Sequence, residues 1–199
     1  MKNLFQLLLL LLLTLGYACG PADTGEEGAG EETTEAAEAE AAEEDTAEAD
    51  QPMSPRQEVE GMIGSTGITM NFGSPSVRDR QIWGELVPYG EVWRTGANEA
   101  TTVTFANDVV VEGEPLAAGK YSVFTIPGEE EWTIIFNKQT GQWGTNYDES
   151  QDALRVQVEP QMVEGHQEAM TFNIEDGQIV LRWEKLAVPI DVEQTQGES

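Results

Sequence analysis

The chain has 199 residues, of which 37 are Asp or Glu and only 10 are Lys or Arg, giving a formal net charge of −27, with one cysteine and one histidine. Nucleic acid and anionic lipid headgroups are bound by basic patches, so this charge argues against both as partners. A single cysteine forms no intrachain disulfide, and with a single histidine it makes too small a set for zinc; burial alone must hold the fold, and neither a metal nor a cofactor is expected.

Lys2 opens a positively charged start, residues 4–15 are an apolar run broken only by Gln6 and Thr14, and Gly16, Tyr17 and Ala18 precede Cys19. The run is short for a membrane span, which needs about 20 residues, so residues 1–18 read as a signal peptide. The junction resembles a bacterial lipoprotein signal, in which the cysteine is acylated, although Gly16 stands where such signals usually carry leucine and Leu15 lies one place further back. Cleavage after Ala18 by the ordinary peptidase is the competing reading. Both export the chain: acylated, it is expected in the cell envelope on an outer-membrane anchor, facing the periplasm or the surface; unacylated, it is secreted. Acylation would also remove an unpaired exported thiol, and an anchor with more than one acyl chain holds stably where one binds only marginally.

Residues 19–54 then read as the lipidated cysteine and an acidic linker. Residues 20–50 contain thirteen acidic residues, no Lys or Arg and no aromatic. Such a segment has too little apolar surface to offset the entropy of ordering it, so a disordered spacer extended by self-repulsion is expected. Acidic residues behind a lipidated cysteine also resemble surface-address sequences of some Bacteroidetes lipoproteins. With Lys2 in the leader, the remainder keeps 24 acidic and 9 basic residues, a net charge of −15. Lysine is scarce there, with only Lys120, Lys138 and Lys185, which resembles the composition of proteins from salt-loving organisms.

Residues 55–192 have room for one domain, with 193–199 as a disordered tail. The period is two: residues 68–72, 101–105, 109–111, 121–126, 132–136, 154–158, 170–174, 178–183 and 187–190 alternate or are rich in β-branched and aromatic side chains. Turn residues separate them, and Asp176-Gly177 is a strong two-residue hairpin signal. An all-β antiparallel β-sandwich, jelly-roll or immunoglobulin-like, is predicted, with a barrel as the alternative.

Several stretches are specific: Phe72-Gly73-Ser74-Pro75-Ser76-Val77, the run 82–101 containing Trp83, Pro88-Tyr89-Gly90 and Trp93-Arg94-Thr95-Gly96-Ala97-Asn98-Glu99, then Leu116 to Gly128, Trp132 to Lys138, Gln142-Trp143-Gly144 and Tyr147-Asp148. They resemble domain of unknown function family 2911, found mainly in exported Bacteroidetes proteins, over essentially the whole globular region. The resemblance implies no activity, substrate or catalytic residue. Arg78 matches the family's basic residue after Val77, whereas Asp79 departs from the small residue expected next.

Residues 93–99 place an aromatic, a cation, an amide, a carboxylate and a glycine between two strand-like runs, which is binding chemistry on a rigid scaffold. Together with Arg78, Arg80, Tyr89, Trp143 and Tyr147, the residues Trp93, Arg94, Thr95, Asn98 and Glu99 form the candidate binding set for a shallow cleft, its aromatic faces stacking on sugar rings or other flat apolar surfaces while Arg94 and Asn98 make directional hydrogen bonds. The plainer reading puts Trp83 and Trp93 in the core and pairs Arg94 with Glu99. No catalytic constellation is legible: His166 reads as an exposed loop residue, and Asp148, Glu149 and Asp152 lack the calcium-loop glycine. The expectation is a non-enzymatic envelope lipoprotein that binds a glycan, peptide or protein. The alternatives are a carboxylate-based hydrolase of envelope or extracellular polymer and a structural accessory subunit of an envelope complex.

Overall fold

The computed structural model describes residues 53–195. The signal peptide, Cys19, the linker up to residue 52 and residues 196–199 of the expected tail lie outside the described residues. Ten strands form: β1 (Arg56–Ile63), β2 (Thr66–Gly73), β3 (Thr101–Phe105), β4 (Val109–Val111), β5 (Glu114–Leu116), β6 (Gly119–Ile126), β7 (Trp132–Asn137), β8 (Asp152–Val158), β9 (Gln161–Glu175) and β10 (Gln178–Gln194). A 3-10 turn spans Glu149–Gln151, and no helix among the described residues is long and apolar enough to cross a membrane.

The strands make two antiparallel sheets, one of six in the order β1-β2-β3-β6-β7-β8 and one of four in the order β5-β4-β10-β9. The architecture is the predicted β-sandwich, and no barrel closes. Alternation supplies the core. Ile68, Met70 and Phe72 of β2, Val103 and Phe105 of β3, and Trp132, Ile134 and Phe136 of β7 meet Met170 and Phe172 of β9 and Ile179, Leu181 and Trp183 of β10. Burying each such side chain contributes roughly 1.5–3 kcal/mol. Phe72 and Phe172 lock the two sheets edge to face at 5.0 Å.

β6 is buried on both faces from Tyr121 to Thr125, polar Ser122 and Thr125 included. Tyr121 and Val123 join the main core, while Phe124 points the other way into a second cluster with Ala100 and Ile135, against which Ile126 and Tyr147 pack. That second layer comes from residues 138–151, between β7 and β8.

The Asp176-Gly177 turn forms as expected, with φ of 49° and 81° between the paired residues Glu175 and Gln178. Glu112-Gly113 closes the β4–β5 hairpin in the same way, with φ of 48° and 82°. The structure departs from expectation in four places. β1 and β5 are additional strands. β9 begins at Gln161, well before residue 170, and carries His166 on a strand and not in a loop. Residues 178–183 and 187–190 belong to one strand, β10, with register shifts on either side of Glu184, and it runs past Val192 to Gln194. Pro189 is tolerated inside β10 because pairing with β9 ends at Ala187 and pairing with β4 starts at Val192, so no ladder bond needs its missing N–H.

The β2–β3 connection, residues 74–100, positions the site. It starts along β9, where Met170 N donates to Pro75 O at 2.9 Å and Val77 N to Glu168 O at 2.8 Å. Further on, Trp93 exchanges backbone bonds of 2.7 and 2.9 Å with Thr125 of β6. The loop is therefore fastened to both sheets.

Candidate functional site

Four tryptophans anchor this loop. Trp83 packs edge to face on Trp132 of the six-stranded sheet at 5.0 Å and on Trp183 of the four-stranded sheet at 5.7 Å. Trp93 stacks on Trp183 at 5.9 Å with an interplanar angle of 15°. Such pairs contribute about 0.5–1.5 kcal/mol each beyond the area they bury. The indole nitrogens of Trp83, Trp132 and Trp183 are buried without a hydrogen-bond partner among the described residues. An unpaired buried donor costs about 1–3 kcal/mol, so the cluster gains from packing and loses from desolvation.

Beyond Trp93 the backbone is strained. Thr95 has φ of 51° and Asn98 φ of 64°, a left-handed conformation that is unusual for any non-glycine residue and most of all for β-branched threonine. Such residues cost on the order of 1–3 kcal/mol and persist where their surroundings over-determine them. Here Thr95 Oγ1 donates to Trp93 O at 3.3 Å and lies 3.2 Å from Thr125 Oγ1, while Thr101 Oγ1 donates to Thr95 O at 2.8 Å. Gly73 lets the loop approach β2: a Cβ there would lie 2.1 Å from Ala97 O.

The 138–151 loop closes against it. Gly144 N donates to Asn98 O at 3.0 Å, Ala100 N to Gln142 O at 3.2 Å, and Glu99 bridges to Trp143. Gly144 is buried, and an added Cβ would meet Arg94 Cδ at 2.4 Å and Asn98 O at 2.8 Å. Glycine at this place seats the arginine stem.

Between these segments lies a cavity of about 700 Å³. Arg80, Trp93, Arg94, Asn98 and Tyr147 from the candidate set line it, together with Trp183 and the aliphatic Leu86, Val87 and Val92. Arg94 does not pair with Glu99, whose carboxylate lies 3.8 Å from Arg56. The Arg94 guanidinium spends one donor, Nε, on Gly96 O at 3.3 Å, and its two terminal nitrogens have no partner among the described residues. Arg80 turns Nε and one terminal nitrogen onto the carbonyls of Val77 and Ser76 and has no carboxylate partner among the described residues.

Among the described residues no Asp or Glu lines this cavity. Four other surface cavities, of about 340 to 520 Å³, each have at least one carboxylate residue in their walls. In a domain this acidic, the largest of these cavities is the one from which negative charge is missing.

Tyr147 Oη donates to Asp152 Oδ2 at 2.7 Å and accepts from Arg155 at 2.7 Å, while Arg155 also pairs with Asp152 and Glu149. Burial and then the Asp152 carboxylate push its phenol up to about 12, so its proton stays with Asp152 and is not offered to a ligand. The same network engages Glu149 and Asp152 with a cation.

The other candidates fall outside the cavity wall. Thr95 is buried beneath it as a structural tie. Glu99 is exposed, and Arg78 reaches the Met53 carbonyl and sulfur at 3.1 Å. Tyr89 and Trp143 are exposed on the two loops, at 39 % and 50 %. His166 lies on the surface beside Glu168, whose carboxyl is held below its usual range by the Arg78 backbone N–H and by His166. Sequence reasoning missed Trp183, which reads as an ordinary core residue of a strand, and Gly144, whose role is visible only as a tertiary contact.

Comparison with curated proteins and with solved structures returned no match. A family model does match, over residues 54–192, and on that span the chain belongs to the family described as protein of unknown function DUF2911.

Proposed function

We propose that this chain is a non-enzymatic binding module of the cell envelope, held to a membrane by lipid on Cys19 and carried outward by its acidic linker, with its ligand in the cavity between residues 74–100 and 138–151. The observation that carries the reading is the cavity itself. Its size falls in the range of about 300–1,000 Å³ usual for ligand sites. Its wall is drawn from two loops and a sheet, and the loop that shapes it holds Thr95 and Asn98 in strained conformations. Of the seven exposed large hydrophobic residues among the described residues, four, Leu86, Tyr89, Val92 and Trp143, also stand on these two loops.

Hydrolysis by paired carboxylates needs two of them facing each other at about 5 to 9.5 Å, and this wall has none. A glycan fits better than a flat protein surface, because the half-buried Trp93 stands in a concave wall with amide, hydroxyl and guanidinium groups.

A glycan, peptide and metabolite screen on the purified full chain tests the proposal: at least one class should bind, and Arg94→Ala and Asn98→Ala should weaken it. Ligands that bind with both variants unaffected would place the site elsewhere. Intact-mass measurement tests the anchor. The mature polypeptide should come from the membrane fraction with an acylated Cys19; an unmodified thiol in the aqueous fraction contradicts it.

A further inference from the structure

Resting on the binding-module reading, we propose that the cavity recognises an acidic sugar residue, and that the terminal nitrogens of Arg94 grip its oxyanion while the half-buried Trp93 takes the ring. Of the six arginines in the described residues, Arg56, Arg155 and Arg182 each pair with a carboxylate. Arg78, Arg80 and Arg94 have none within ion-pair distance among the described residues, and two of these three line the cavity. With 24 acidic and 9 basic residues from Gln51 onward, a half-buried arginine without a carboxylate partner among the described residues is a site kept open for one.

Geometry supports the same assignment. Arg94 has its inner nitrogen turned to Gly96 O, which leaves the outer edge of the guanidinium, the fork that takes a carboxylate or sulfate through two parallel bonds. Gly144 supplies the space for its stem. Trp183, only 1 % exposed, stacks on Trp93 and fixes the orientation of that ring. Tyr147 cannot serve as a donor, since its proton is engaged by Asp152. An anion entering this cavity meets Arg80 and Arg94 and no carboxylate among the described residues, whereas each of the other four cavities has carboxylates in its wall.

The test is titration of the purified full chain with trigalacturonate, its fully methyl-esterified uncharged form, galactose 6-sulfate and triglutamate. Trigalacturonate should bind, the methyl ester about tenfold more weakly or worse, and Arg94→Ala should lose about tenfold or more, as expected for hydrogen bonds to a charged group. Arg94→Lys, which keeps the charge and loses the fork, should fall in between. An unchanged near-ultraviolet circular dichroism spectrum in both variants ties the loss to recognition. Arg94-dependent binding of the sulfate in preference to the uronate upholds the proposal and assigns the oxyanion. Arg94-dependent binding of triglutamate alone overturns the sugar class. Equal binding of the methyl ester with Arg94→Ala silent overturns the anion assignment but leaves the binding module standing. Failure of all four probes overturns the acidic-sugar assignment, while the module itself stands or falls on the wider screen.

Discussion

Gly144 and Tyr147, three residues apart, show how single side chains set this site. Gly144 has no left-handed backbone to excuse it; only crowding by Arg94 and Asn98 requires glycine there. Gly144→Ala should therefore cost about 1–3 kcal/mol of stability by overpacking, read by urea denaturation, and should weaken ligand binding by moving Arg94. An alanine variant of wild-type stability and affinity would contradict that seat. Tyr147 predicts a pH effect. Its folded phenol ionises near 12 against an ordinary value of 10, so the folded chain holds more protons than the unfolded one above pH 10. Stability present below pH 10 is thus lost as pH rises towards 12. The thermal midpoint of wild type should fall more steeply across this window than that of Tyr147→Phe; parallel curves would show that the hydroxyl is not so engaged.

At the scale of elements, Gly73 and Gly113 separate two reasons for glycine. Gly113 has open space around it but φ of 82°, so Gly113→Ala should cost about 1–2 kcal/mol for the left-handed backbone alone. Gly73→Ala drives a methyl into the Ala97 carbonyl and should cost more while also shifting the 93–99 segment; chemical denaturation and ligand affinity read both, and equal losses would contradict the distinction. Legibility in the sequence followed the same divide between local and distant causes. The Asp176-Gly177 hairpin and the runs of β2, β3, β6 and β7 were readable because backbone chemistry and alternation are local. β1 was not: its inward-facing side carries only Val59, Gly61 and Ile63, with the apolar Met62 on the exposed side, and Gly61 serves a close approach to Ile174 on β9. The first half of β9 is polar and largely exposed, which removes the periodic signal. In the site, Trp93, Arg94 and Asn98 stood out as an unusual cluster. Glu99 looked like a partner for Arg94 because they are near in sequence, yet the extended backbone after left-handed Asn98 carries it to Arg56.

The whole molecule sets a long-range field against a short-range attraction. A net charge of −15 from Gln51 onward repels itself, and salt shortens the reach of that repulsion from about 10 Å at 0.1 M to about 3 Å at 1 M. The melting midpoint should therefore rise between low and molar NaCl; one that does not rise contradicts salt adaptation. The same field opposes an approaching anion, whereas the half-buried Arg94 contact is screened much less. Moderate salt should thus speed association with trigalacturonate and leave dissociation nearly unchanged, and a slower association on adding salt would contradict this balance. The most direct measurement of the site is the set of indole N–H resonances from the five tryptophans during that titration. Trp93 and Trp183 should shift most, Trp132 less and Trp143 least. A shift confined to Trp143, or none at saturating ligand, would contradict the cavity as the place of binding.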